Sequence, residues 1–148
     1  QDGAVQMRPG VLALLSAAST AGLKLAIATT TSPVNIAALL RQAIGPDWKL
    51  HFSVIEDAST APRKKPDPMV YQQTLSRLGL APGDCLAFED SENGLRAAMA
   101  AGLPTVITPN DFTTAHDFKG ALRICPSLHG VGLAQLREWH HTAFKAQA

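Results

Sequence analysis

The chain has 148 residues, a formal net charge of +1 and a hydrophobic share of 46%. That is the length of one ordinary domain with enough apolar content for a core, which excludes wholesale disorder. A near-zero charge without a basic run argues against general nucleic-acid or membrane-surface binding, and the apolar stretches are strand-sized, too short for a membrane span.

The start, QDGAVQMRPG, lacks the apolar segment of a signal peptide and does not open on Met. Cys85 and Cys125 lack metal-ligand spacing and make no disulfide framework. Cys85 opens an apolar strand and reads as a small buried hydrophobe. A cytoplasmic location is the resulting expectation.

Helix and strand alternate along the chain. RPGVLALLSAASTAG puts Pro9 at a helix start, lines Val11, Leu12, Leu14, Leu15 and Ala18 along one face, and ends at Gly22. LKLAIA (23–28) is an apolar strand. Ser32-Pro33 then reads as N-cap and first helical residue, with Ile36, Leu39, Leu40 and Ala43 facing inward and Gly45-Pro46 as the stop. LHFSVI (50–55) is a second strand. Asp67-Pro68 starts a helix that runs through Leu78 to Gly79. CLAFE (85–89) is a strand, about Ser91 to Ala101 a helix, and PTVIT (104–108) a strand. Beyond it, FTTAHDFKG is read as holding a short helix, LRI (122–124) as an edge strand, and VGLAQLREWHHTAFKA as a last helix packing Leu133, Leu136 and Trp139. This alternation predicts a parallel sheet covered on both faces, with ligands bound at the carboxyl ends of its strands.

Three strand ends carry chemistry. After the first comes TTTS (29–32), four hydroxyls at a helix N-terminus, where exposed amides attract anions and phosphate above all. Helix capping explains Ser32 alone. It does not require Thr29, Thr30 and Thr31. After the second comes EDASTAPRKKPDP (56–68), with Arg63, Lys64 and Lys65. A solvated basic loop is the default reading, yet an ammonium aimed at phosphate would look the same, and a residue before proline has a restricted backbone. After the third stand Glu89 and Asp90. One acid can cap a helix, and Asp90 is placed to do so. Two at the end of a buried strand call for positive charge, and Mg2+ takes one or two carboxylates with waters and substrate phosphate. Gly94 costs helix stability, which points to another backbone packing close there. His140 and His141 diverge on their helix, so a solvated face is favoured over a shared metal. Trp48, Trp139 and His51 read as packing or ordinary strand residues.

The order is a hydroxyl, a lysine 36 residues later and an acid 25 residues after that. It resembles the haloacid dehalogenase superfamily of phosphotransferases. LAIATTTS is similar to that family's second motif, with Thr29 on the transferring phosphoryl group. KKPDPMVY is similar to the third, with Lys65. FEDSENGLRAAMAAGLPTVIT is similar to the fourth, with Asp90 and Glu89 on Mg2+. RPGV leading into the first helix is also typical. Within the superfamily the chain most resembles the β-phosphoglucomutase and phosphoglycolate phosphatase-like group, and there the CbbY-type sugar-phosphate phosphatases. The resemblance covers nearly the whole chain.

One family motif has no counterpart. DxDGT would carry the nucleophilic aspartate and an acid/base aspartate, but no D-x-D occurs in the sequence, and the early Asp2 has no strand before it. The resemblance therefore implies the C-terminal part of a longer protein: a Rossmann-like α/β core, residues 1–148, without its first strand and cap. It implies an Mg2+-dependent phosphatase acting on a small sugar phosphate through an aspartyl-phosphate, with Thr29 and Lys65 as catalytic groups and Thr30 and Thr31 assisting at the phosphate. A non-catalytic fragment or interaction module is the alternative of another class, and a phosphomutase a third. No nucleic-acid or membrane partner is expected. In the family the DxDGT strand lies between those ending at Thr29 and Asp90. These two are therefore expected to pair directly or to leave a gap, and the chain to be marginally stable, inactive alone, and a monomer or weakly self-associating through unpaired strands.

Overall fold

The computed structural model describes residues 10–147. Among these, helices and short parallel strands alternate as α1 (Val11–Thr20), β1 (Ala26–Ala28), α2 (Pro33–Ala43), β2 (Val54–Glu56), α3 (Met69–Leu78), β3 (Ala87–Glu89), α4 (Glu92–Ala100), β4 (Thr105–Ile107), β5 (Arg123–Ile124) and α5 (Leu133–Gln147). Pro9, the expected start of α1, and Asp2 lie outside the described residues.

Local chemistry explains most boundaries. Ser32 Oγ accepts from the Asn35 N–H at 3.3 Å, and Pro33 fills the first helical position, where no N–H is needed. Ser91 Oγ accepts from the Gly94 N–H at 3.1 Å, so Ser91 caps α4 and Asp90 does not. Gly79 ends α3 in the left-handed conformation, φ 69°, that a Cβ disfavours. The strands are shorter than their apolar runs. Leu50, in LHFSVI, is exposed, while Trp48 is buried and belongs to a 3-10 turn over Trp48–His51 that replaces the first part of that strand. The helix expected within 112–120 is a series of turns instead. There Asn110 Oδ1 accepts from the Phe112 N–H and Asp117 Oδ1 from the Lys119 N–H, local bonds that compete with a helix.

Among the described residues every strand pairing is parallel, in two separate sheets. β1 pairs with β2 (Ala28 opposite Glu56). β4 lies between β3 and β5, with Glu89 opposite Ile107 and Ile107 opposite Ile124. Among the described residues no backbone ladder joins β1 to β3, so these two strands do not pair directly.

Among the described residues three apolar clusters form the core, the smallest of them Leu95, Ile107 and Phe118. Val70 and Tyr71 of α3 pack with Ala97 and Ala98 of α4 and with Ala87 of β3. Leu14 of α1, Leu136 of α5, Leu128 and Val106 of β4 form the second, with Trp139 against it. This is an α/β three-layer core. Cys85 is half-buried against the first cluster, where burial, and then the Asp84 charge, push its thiol up and keep it neutral. His140, expected in solvent, is half-buried, with Nε2 2.8 Å from the Gly83 carbonyl, while His141 is exposed.

Candidate active site

Thr29 follows directly on β1, its N–H donating to the Glu56 carbonyl at 3.1 Å. Its Oγ1 accepts from the Thr31 N–H at 3.1 Å, which leaves the hydroxyl's own proton to donate elsewhere. The Thr31 carbonyl accepts from the Ala58 N–H at 3.0 Å, tying this turn to the loop after β2. Thr29 and Thr30 are half-buried and Thr31 is exposed. Because Ser32 does the capping, none of the three threonine hydroxyls is needed to start α2.

The three basic residues of the next loop part company. Arg63 forms an exposed ion pair with Asp67 at 3.7 Å, and Lys64 is exposed. Lys65 turns inward, its side chain only 16% exposed. Its ammonium donates to the Ala28 carbonyl at 3.1 Å, one residue before Thr29, and pairs with Glu89 Oε2. It also stands 5.1 Å above the centre of the Tyr71 ring, a cation–π contact. The Lys65–Pro66 peptide bond is cis.

Glu89, with a side chain 7% exposed, is held on two sides. Its Oε2 accepts from both Lys65 and the Tyr71 hydroxyl. Its Oε1 lies against Gly94 so closely that a Cβ there would fall on the carboxylate and within 3.0 Å of Cγ. What packs against Gly94 is this side chain, not a second backbone. Burial, then the Glu89 charge, its hydrogen bond and the Asp90 charge, hold the Tyr71 phenol well above its usual range, so it stays a donor.

Asp90 has different company. It is exposed, and its Oδ2 accepts from Asn110 Nδ2 at 3.1 Å, in the loop after β4. The Lys65 ammonium thus links the Ala28 carbonyl, at the end of β1 and next in the chain to Thr29, with Glu89 at the end of β3, and Asp90 is adjacent in the chain to Glu89. Among the described residues no group of three or more His, Cys, Asp or Glu side chains could enclose a metal. One exposed carboxylate beside a second, lysine-bound one suits Mg2+, which keeps most of its waters and binds through one or two carboxylates plus phosphate.

Sequence reasoning passed over Tyr71 and Asn110. A tyrosine on the buried face of α3, between Val70 and Thr74, needs a partner for its hydroxyl, and that signal was present. Asn110 stands at the end of TVITPN, a fourth strand end open to the same reading as the other three.

This arrangement on this fold has clear relatives. A family described as haloacid dehalogenase-like hydrolase matches residues 2–102, and the chain belongs to that family. It is 50% identical to the plasmid-encoded protein CbbY of Cupriavidus necator over 155 residues, covering 94% of this chain and 61% of that protein. Two solved structures of CbbY from Rhodobacter sphaeroides are similar at 40% identity. One, in complex with phosphate, has a TM-score of 0.87 and covers 92% of this chain and 61% of that one. The other, a variant in complex with xylulose-(1,5)bisphosphate, has a TM-score of 0.86, with coverage of 91% and 60%. The chain thus spans about three-fifths of the length of these CbbY relatives.

Proposed function

We propose that this chain forms the phosphate- and metal-holding part of an Mg2+-dependent phosphomonoester hydrolase acting on a small sugar phosphate. The observation that carries the reading is the placement of Lys65. An ammonium has three protons. One goes to the Ala28 carbonyl and one to Glu89, which leaves a third at the strand end where the Thr29 hydroxyl is also available to donate. Two donors of this kind, beside the N-terminus of α2, suit a phosphoryl group. The CbbY complexes with phosphate and with a sugar bisphosphate support the same ligand class.

In this reading Thr29 and Lys65 hold the phosphoryl oxygens, and Thr30 and Thr31 assist at the helix start. Asp90 holds Mg2+, with Glu89 in support as it fixes Lys65. The ion supplies charge that screens the phosphoryl oxygens during transfer. The nucleophile is an aspartate of a D-x-D segment, a motif this sequence does not contain. Attack on phosphorus forms an aspartyl-phosphate as the bond to the sugar oxygen breaks, and the second aspartate of the segment gives that oxygen its proton. Water then hydrolyses the aspartyl-phosphate to inorganic phosphate.

Titration of the 148-residue chain with inorganic phosphate, followed by NMR, tests the cradle. Resonances of Thr29 to Thr31 and Lys65 should shift, and Lys65→Met should abolish the shift. Shifts confined to other residues would overturn the assignment. With Mg2+ and an aryl phosphate the chain should be inactive, and should gain turnover when a D-x-D segment from a relative is fused or added in trans.

A further inference from the structure

The loop after β4 holds Asp90 in a particular way. Asn110 Nδ2 donates to Asp90 Oδ2 at 3.1 Å. Asn110 is itself fixed, because its Oδ1 accepts from the Phe112 N–H at 2.8 Å and lies 3.3 Å from Thr113 Oγ1. A backbone N–H can only donate, so the amide oxygen must face Phe112 and the NH2 must face Asp90. The Asn110 N–H donates to Thr113 Oγ1 at 2.9 Å, and Thr113 is buried. The same loop is tied to the start of α4, where the Glu92 N–H donates to His116 Nδ1 and the Asp117 N–H to Glu92 Oε1, both at 3.1 Å. The loop is thus anchored at points that do not depend on the Asn110 side chain.

We propose that Asn110 is a positioning and specificity residue that occupies Asp90 Oδ2, reserves Oδ1 for the metal, and so favours Mg2+ over Ca2+. This rests on the reading of Asp90 as the Mg2+ ligand. A carboxylate with one oxygen held by an N–H has its orientation fixed and presents the other oxygen to a cation with less competition, which disfavours binding through both oxygens. Mg2+ requires near-octahedral geometry with short bonds and gains nothing from a second oxygen of the same carboxylate. Ca2+ takes six to eight oxygens and binds carboxylates in either mode. A neutral amide suits this task, since it orients the carboxylate without adding a positive charge that would repel the ion. The one ammonium in the cluster, Lys65, is directed to Glu89.

The test uses the 148-residue chain with Mn2+ as a paramagnetic probe, displaced by Mg2+ or by Ca2+. In Asn110→Ala the ratio of Mg2+ to Ca2+ affinity should fall about tenfold, the size of effect typical for groups that orient a metal ligand. Asn110→Asp keeps the acceptor for Phe112 but sets a carboxylate against Asp90. It should raise Ca2+ affinity, and it carries the test if the alanine variant fails to fold. Asp90→Asn is the control. If Asp90→Asn abolishes Mn2+ binding while Asn110 substitution leaves the Mg2+/Ca2+ ratio unchanged, the role of Asn110 is overturned and the metal reading stands. If Mn2+ fails to bind the parent chain, or binds Asp90→Asn equally well, the metal reading falls and this inference with it.

Discussion

The Lys65 ammonium and the Glu89 carboxylate pair between two sheets that share no backbone ladder among the described residues. The lysine reaches the end of β1 through the Ala28 carbonyl and the end of β3 through Glu89. A single side chain therefore brings the two chemistry-bearing strand ends together. Removing it should cost stability as well as function. Lys65→Met leaves the Glu89 charge largely buried with only Tyr71 as donor, and should lower unfolding free energy by roughly 1–3 kcal/mol in urea. Adding Glu89→Gln removes the stranded charge and should recover at least half of that loss. A double variant no more stable than Lys65→Met would mean that the pair does not bear on stability.

Gly94 should show a reversal of sign. With Glu89 present, the Cβ of Gly94→Ala displaces a carboxylate held by Lys65 and Tyr71, at a cost of about 1–3 kcal/mol. With Glu89→Ala in the background that obstacle is gone, and the same change should stabilise α4 by about 0.5–1 kcal/mol through helix propensity. Thermal melts of the four proteins check this. The same sign in both backgrounds would exclude the Glu89 contact as the reason for the glycine.

Tyr71 is the one tyrosine in the sequence, so tyrosinate absorbance reports it alone. Its phenol titrates higher in the folded chain than the ordinary value of about 10. The folded state thus holds this proton more tightly. The stability it contributes is complete below about pH 10 and is lost as pH rises through the raised folded value. Tyr71→Phe should flatten this alkaline loss. An ordinary titration midpoint in the native chain would contradict the burial and the Glu89 contact.

Away from the site, Glu56 at the end of β2 is 1% exposed and pairs with Arg77 on α3. Arg77→Met strands a buried carboxylate with only a long contact to Gln73 Nε2, at 3.5 Å, and should destabilise by about 3 kcal/mol. The double variant with Glu56→Leu should be more stable than Arg77→Met alone, as urea unfolding would show.

The alternation of elements, the cap at Ser32 and the polar strand ends were legible because each depends on neighbours in sequence, whereas the cap of α4 falls on Ser91 and not on Asp90, where it was expected. Strand lengths were not. An apolar run such as LHFSVI does not say which of its residues a partner strand will cover, and here buried Trp48 draws the backbone into a turn while Leu50 stays outside. The short helix expected within 112–120 is replaced by turns because short polar side chains bond their own backbone there. Thr29, Lys65, Glu89 and Asp90 could be named from their positions. Their partners could not, since Tyr71 lies 18 residues from Glu89 and Asn110 20 from Asp90. Such pairings follow from how α3 and the β4 loop fold back over the strand ends.

The division of the sheet has a mechanical consequence. A continuous ladder fixes the height of each strand against the next through backbone bonds that break only on unfolding. Between β1 and β3 there is no such ladder among the described residues, so one half can slide against the other without rupturing a strand pair. The restoring force comes from the flexible stem of Lys65 and from α3, which packs on β1 and β2 and also meets α4. That joint should be soft to shear on the microsecond-to-millisecond scale of helix sliding. Relaxation dispersion should then appear at Thr29, Lys65 and Glu89 together, while β4, buried between its two neighbours, stays quiet.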